Sequence, residues 1–191
     1  MDTQERWFER QFELAREFDL PMFLHLRAAA PAFLAILERQ AGVRGVVHSF
    51  DGSQEEAAQI LSHPGLFIGV NGCSLKTGKA CLLKGLWEAE KLREENLRVV
   101  ASLPPERLLL ETDAPWCEIR PTHASARFVT SKHAAKDKKK WEARFLVKSR
   151  NEPCNMRQVL EAVAGVKGLD AAALAATVFD NTMNLFFVRK D

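Results

Sequence analysis

The 191-residue sequence is 47% hydrophobic and 27% charged, the balance of a globular chain with a sizeable core. No apolar run approaches the roughly 20 residues of a membrane-spanning helix. The polar start Met1-Asp2-Thr3-Gln4-Glu5-Arg6 is neither a secretion signal nor a basic transit peptide. An intracellular protein with no membrane partner is therefore expected. The net charge of +2 conceals an asymmetry. Residues 117–150 hold 10 Lys+Arg against 3 Asp+Glu, and the rest of the chain holds 17 against 22. Such a concentration favours a polyanionic partner, with a solvated basic loop that binds nothing as the competing view. Cys73, Cys81, Cys117 and Cys154 lack C-x-x-C spacing and read as reduced, mostly structural thiols rather than a zinc site.

Taken in order, Thr3 to Phe18 predicts a helix, with Trp7, Phe8, Phe12, Ala15 and Phe18 near one face. Pro21 stops it, and Met22 to Leu26 has the length and apolarity of a buried strand. Pro31 fits the first turn of a second helix, whose buried side is Phe33, Leu34, Ile36 and Leu37. Val46 to Phe50 reads as a second strand. Ser53 and Glu56 have capping-box spacing before a third helix through Leu61, which Pro64-Gly65 ends. Leu66 to Val70 is a third strand, residues 79–100 a charged helix, and Leu108-Leu109-Leu110 a fourth strand. Residues 117–150 are polar, basic and irregular, a long insertion of the kind that carries function. Two helices follow, about Met156–Val166 and Ala171–Phe187, with a break expected near Asp180-Asn181. Strands alternating with amphipathic helices predict a parallel α/β sheet, either part of a barrel or an open doubly wound sheet.

Three polar residues close three buried strands: His25, His48 and Asp113. In a parallel sheet all C-terminal strand ends open on one face, so groups remote in sequence converge there. Two imidazoles and a carboxylate make a plausible shell for a divalent metal. Singly, each has a dull explanation, as a hydrogen-bonded structural histidine or turn punctuation before Pro115.

The segments Phe23-Leu24-His25-Leu26-Arg27, Val47-His48-Ser49-Phe50-Asp51-Gly52-Ser53, Ile68-Gly69-Val70-Asn71-Gly72, Leu109-Leu110-Glu111-Thr112-Asp113-Ala114-Pro115-Trp116 and Arg150-Asn151-Glu152-Pro153 occur in the order found in the TatD family. The chain resembles those metal-dependent deoxyribonucleases, which are built on a (β/α)8, TIM-type barrel of the metallo-dependent hydrolase class. Lys138-Lys139-Lys140-Trp141 resembles the eukaryotic, partly nuclear branch, which implies a nuclear or cytoplasmic location. The resemblance implies hydrolysis of DNA phosphodiester bonds by metal-activated water. It implies two divalent ions per complete site, read as Mg2+, with Mn2+ or Zn2+ as alternatives. By position, His25 and His48 become ligands of one ion. Asp113 becomes a ligand of the other or of a shared water, and a general base. Arg27, Glu111, Arg150 and Glu152 become residues that position ligands or substrate, with a buried ion-pair network as their structural alternative. Asn151 reads as a turn residue. Trp116 or Trp141 would stack on a base, although Trp116 reads more readily as core.

A TatD barrel also carries His-x-His on its first strand and a glutamate in a Gly-Glu-Ile-Gly-Leu-Asp-like motif on its fourth, and neither occurs here. The family helix after the fourth strand corresponds to residues 3–18. The sequence thus reads as an incomplete barrel, about the last four β/α units, in one N-terminally truncated domain of residues 1–191 with 117–150 as a basic insertion. Weak or absent nuclease activity is expected of this chain alone, as a monomer. The alternative is a non-catalytic truncated isoform or fragment that at most binds nucleic acid. A hydrolase of another bond fits the fold alone, but the basic loop and the motif set argue against it.

Overall fold

The structure is a computed structural model describing residues 2–76 and 95–187. Residues 77–94, with Cys81 and most of the helix read over 79–100, lie outside the described residues. Helix α1, Asp2–Phe18, packs through Phe8, Phe12 and Ala15. The Phe8 ring meets Phe12 at 4.9 Å and Phe33 of the second helix at 5.5 Å. Trp7 and Phe18, expected on the same face, stay exposed. Trp7 lies about 100° round the helix from Phe8, and Phe18 ends the helix near the strand that forms one edge of the described sheet.

The next elements follow the sequence closely. They are β1 Met22–His25, α2 Ala30–Glu38, β2 Gly45–His48, α3 Gln54–Leu61, β3 Leu66–Val70, α4 Glu95–Ser102 and β4 Leu108–Leu110. Pro31 occupies the first turn of α2. The capping box forms: Glu56 N–H donates to Ser53 Oγ at 3.2 Å, and Ser53 N–H to the Glu56 carboxylate at 2.9 Å. Strands β1 and β2 end on their histidines, which leaves Leu26, Ser49 and Phe50 in the loops beyond.

The four strands form one parallel sheet in the order β1-β2-β3-β4. Consecutive strands are neighbours and the order never reverses, as it would in a doubly wound sheet. This is the winding of a (β/α) barrel, and among the described residues β1 and β4 form its two open edges. The register sorts side chains by face. Leu24, Val47, Ile68 and Leu108 align toward the helices and form the main core. On the opposite face Val46, Phe67 and Leu109 form a smaller cluster with Leu185. His25 pairs with His48 at the C-terminal end of that second face.

The basic loop has more local order than an irregular reading allows. It holds short 3-10 turns at Ala124–Phe128 and Lys138–Lys140, and a parallel pair, β5 Ala135–Lys136 with β6 Leu146–Val147. Its early part is tied to helix α5, Met156–Lys167, where Glu161 accepts hydrogen bonds from the Thr130 and Ser131 amides, each at 2.8 Å. The last helix, α6, runs unbroken over Ala171–Phe186. The expected break is absent because Asn181 is buried with partners: its Nδ2 donates to the carbonyls of Pro105 at 2.8 Å and Leu108 at 2.9 Å. One amide thus pins the last helix to the start of β4. Among the described residues no single helix is long and apolar enough to cross a membrane.

Replacing Asn181 with Ala strips the Leu108 carbonyl of its side-chain donor inside the core. The variant is expected to lose about 1–3 kcal/mol of stability. Urea unfolding should show a lower midpoint with an unchanged m-value.

Candidate metal centre and cleft

The chemistry gathers where β2 and β4 end. Glu111 follows β4 and extends its ladder, its N–H donating to Val70 O at 2.9 Å. Its side chain lies across β3 at Gly69, where any Cβ would collide with the carboxylate. The Ser49 amide donates to Glu111 Oε2 at 3.1 Å, from a residue held at φ 53°. Asn71, fully buried, donates to Ser49 Oγ at 2.8 Å and accepts from the Cys73 amide at 2.7 Å. Glu111 Oε1 is buried with no partner among the described residues. Burial first, and then the charge of Asp113, push the Glu111 pKa up to about 7, against the pull of the Ser49 hydrogen bond.

His48 stands between a partner and the acids. Its Nε2 lies 2.7 Å from His25 Nδ1, so one ring donates to the other. Its Nδ1 is buried without a hydrogen bond, 3.5 Å from Glu111 Oε2 and 4.0 Å from Asp113 Oδ1. The Phe23 ring stacks on it at 4.4 Å. Burial lowers the His48 pKa, partly offset by the charge of Asp113 and reinforced by His25. Ligand atoms of His48, Glu111 and Asp113 all lie within 4.8 Å of one another.

This set fits a divalent cation. A buried imidazole nitrogen and a buried carboxylate oxygen both lack partners, a costly arrangement that a cation relieves. One imidazole and two carboxylates suit Mg2+, Mn2+ or Zn2+. The grouping differs from the one expected. His48 and Asp113 come together as anticipated. Glu111 lies with them, and His25 sits beside His48 on its other nitrogen.

Asp113 lies at φ 52°, before a cis Ala114–Pro115 bond. Its loop is held by Asn151, whose Nδ2 donates to Thr112 O at 2.8 Å and Trp116 O at 2.7 Å, and whose amide donates to Pro115 O at 3.0 Å. Asn151 therefore does more than form a turn. It performs the fixing that the structural alternative for Arg150 and Glu152 assigns to an ion-pair network. Arg150 is exposed and Glu152 half-buried, and among the described residues neither makes an ion pair.

Beside the cluster opens a cleft of about 360 Å³ lined by His25, Arg27, Ser49, Lys76, Asp113 and Trp116, among others. Trp116 is 76% exposed, not core. The turn closed by its amide on Asp113 O at 2.8 Å, with its carbonyl held by Asn151, throws the ring outward. Sequence reasoning gave no role to Ser49, Asn71 or Lys76. Asn71 carried a usable signal, a polar residue closing a buried strand, as His25 and His48 do.

A model of the TatD related DNase family matches residues 1–187. The chain is 42% identical over 189 residues to a deoxyribonuclease Tat-D of Schizosaccharomyces pombe, covering 96% of this chain and 55% of that protein. It is 32% identical over 190 residues to the 3'-5' ssDNA/RNA exonuclease TatD of Escherichia coli, covering 97% of this chain and 59% of that one. Among solved structures, a hydrolase TatD family protein from Entamoeba histolytica superposes with a TM-score of 0.83 at 30% identity, over 98% of this chain and 57% of that one. The chain thus spans between half and two thirds of the proteins it matches, and within that span sequence and fold agree: it belongs to the TatD-related DNase family.

Proposed function

We propose that this chain supplies the C-terminal-half share of a metal-dependent deoxyribonuclease site, about the last four β/α units of a TatD barrel, acting on nuclear or cytoplasmic DNA. The observation that carries the reading is the convergence of His48, Glu111 and Asp113, two of them with unpartnered buried atoms, at the end of a parallel sheet. These three residues hold the cation, with His25 orienting His48 through its other nitrogen. A divalent cation held there supplies Lewis-acid chemistry, neutralising phosphoryl charge and acidifying water.

The chain's own residues divide the remaining work. Asp113, the most exposed acid of the cluster, accepts the proton of the attacking water. Arg27 and Lys76 on the cleft wall bind phosphate oxygens. Trp116, exposed on the same wall, offers a face for a nucleobase. In the basic loop each acid is already paired: Glu118 with Arg120, Glu142 with Lys136, Asp137 with Lys148. Lys138, Lys139 and Lys140 remain available to track a backbone. Neither His-x-His nor the glutamate of a complete family site is present. Cation binding, rather than turnover, is the property this chain tests alone.

Calorimetric titration with Mn2+ is expected to show at least roughly tenfold weaker binding in His48→Ala, Glu111→Ala and Asp113→Ala. Unchanged affinity in all three sinks the assignment. The pH dependence of stability supplies a second test. A folded pKa of about 7 for Glu111, above its ordinary value of 4.5, means the folded state holds that proton more tightly. Its contribution is present below pH 4.5 and lost as pH rises through 7. That loss, on the order of 3 kcal/mol, should vanish in Glu111→Gln. Mn2+ should therefore raise Tm more at pH 8 than at pH 5.5. Replacing Lys138, Lys139 and Lys140 with Ala should flatten the plot of log affinity for single-stranded DNA against log salt, by roughly 0.7 per lost phosphate contact.

A further inference from the structure

Among the described residues the cysteines resolve into a pair and a bystander. Cys73 Sγ lies 2.8 Å from Cys117 Sγ, although the two are 44 residues apart, and both are half-buried at the cleft. Cys154 is exposed elsewhere. The two thiols are held by their backbones. The Cys73 amide is bound by buried Asn71 at 2.7 Å. Cys117 sits at φ 56° in the loop that Asn151 clamps at Trp116. The loops are in contact at Gly72, where a Cβ would collide with the Cys117 carbonyl. Close packing of two backbones thus presents the sulfurs to each other at the lip of the candidate metal centre. Cys117 Sγ also lies 3.8 Å from Asp113 Oδ2, a weak donor to that carboxylate.

We propose that Cys73 and Cys117 form a reversible dithiol–disulfide site that ties the loop after β3 to the Asp113 loop after β4. The oxidant is a low-molecular-weight disulfide such as glutathione disulfide. One cysteine thiolate attacks a sulfur of the oxidant, forming a mixed disulfide and expelling one glutathione thiolate. The second cysteine then attacks the protein sulfur of that mixed disulfide and expels the other. Two cysteines are oxidised, one glutathione disulfide is reduced to two thiols, and the two S–H protons pass to the leaving thiolates. The second step is intramolecular between held sulfurs, so it outruns reaction with another glutathione. Oxidation also removes the Cys117 S–H from Asp113. This site is independent of the nuclease reading, since its readout is covalent.

The test uses the full chain with Cys81→Ser and Cys154→Ser, which leaves only this pair, treated with glutathione disulfide. The expected result is loss of both free thiols, a mass lower by two hydrogens with no glutathione adduct, and full reversal by dithiothreitol. Retention of both thiols, or a stable adduct on each cysteine, overturns the proposal. If that variant does not fold, the wild-type chain is oxidised and mapped by non-reducing peptide mass spectrometry. A Cys73 peptide joined to the Cys117 peptide supports the site, and a map in which either is joined only to Cys81 or Cys154 overturns it.

Discussion

The carboxylate of Glu111 occupies space that exists only because residue 69 has no side chain. Much of the site's geometry depends on that close approach. A buried acid must be hydrogen-bonded or matched by charge, and here the Ser49 amide supplies one bond while Oε1 stays open. To present that amide the chain leaves β2 at φ 53°, a conformation that costs free energy for a serine. Asn71 then holds the Ser49 hydroxyl from beneath. The packing of β3 against β4, the turn after β2 and the high pKa of Glu111 are aspects of one arrangement. It stores unfavourable electrostatics that a bound cation would release.

Buried asparagines, rather than ion pairs, hold the scaffold around it. Asn71, Asn151 and Asn181 are each less than a tenth exposed, and each bridges segments remote in sequence. Asn71 joins the ends of β2 and β3. Asn151 holds the Asp113 loop at two carbonyls, and Asn181 fixes the start of β4 to the last helix. A neutral amide suits this position better than a charged pair. It satisfies backbone carbonyls without the desolvation cost of an ion, and it adds no charge near a centre whose pKa values are set by a few close groups.

These contacts mark the limit of what the sequence makes legible. Periodicity and punctuation predict the α–β alternation, because they report local burial and caps that the chain encodes within one turn or strand. Strand-end polarity finds His25, His48 and Asp113, because a parallel sheet opens all such ends together. Which atoms face one another depends on register and backbone dihedrals. Hence Glu111 lies within 4.8 Å of His48 and Asp113 through their ligand atoms, and His25 beside His48, which spacing does not reveal. Trp116 reads as core by hydrophobicity, yet its exposure is imposed by Asn151, 35 residues away. Likewise Asn181 reads as a helix breaker until the two carbonyls it caps are known. In each case a local propensity yields to a tertiary hydrogen bond.

The electrostatics of the cleft also bear on the proposed cation. Asp51 and Asp113 put carboxylates on the cleft wall, with Glu111 beside Asp113, and that charge alone repels a phosphodiester. Arg27 and Lys76 on the wall offset the repulsion only in part, being solvated side chains in a high-dielectric setting. The lysine run of the basic loop, proposed to attract a polyanion, is not a wall of this cleft. A cation between His48 and the carboxylates would reverse the local sign where the proposed function brings phosphate. In the proposed function, attraction by the loop and acceptance by the cleft are therefore separable. The first depends on salt, and the second on metal and on the proton at Glu111.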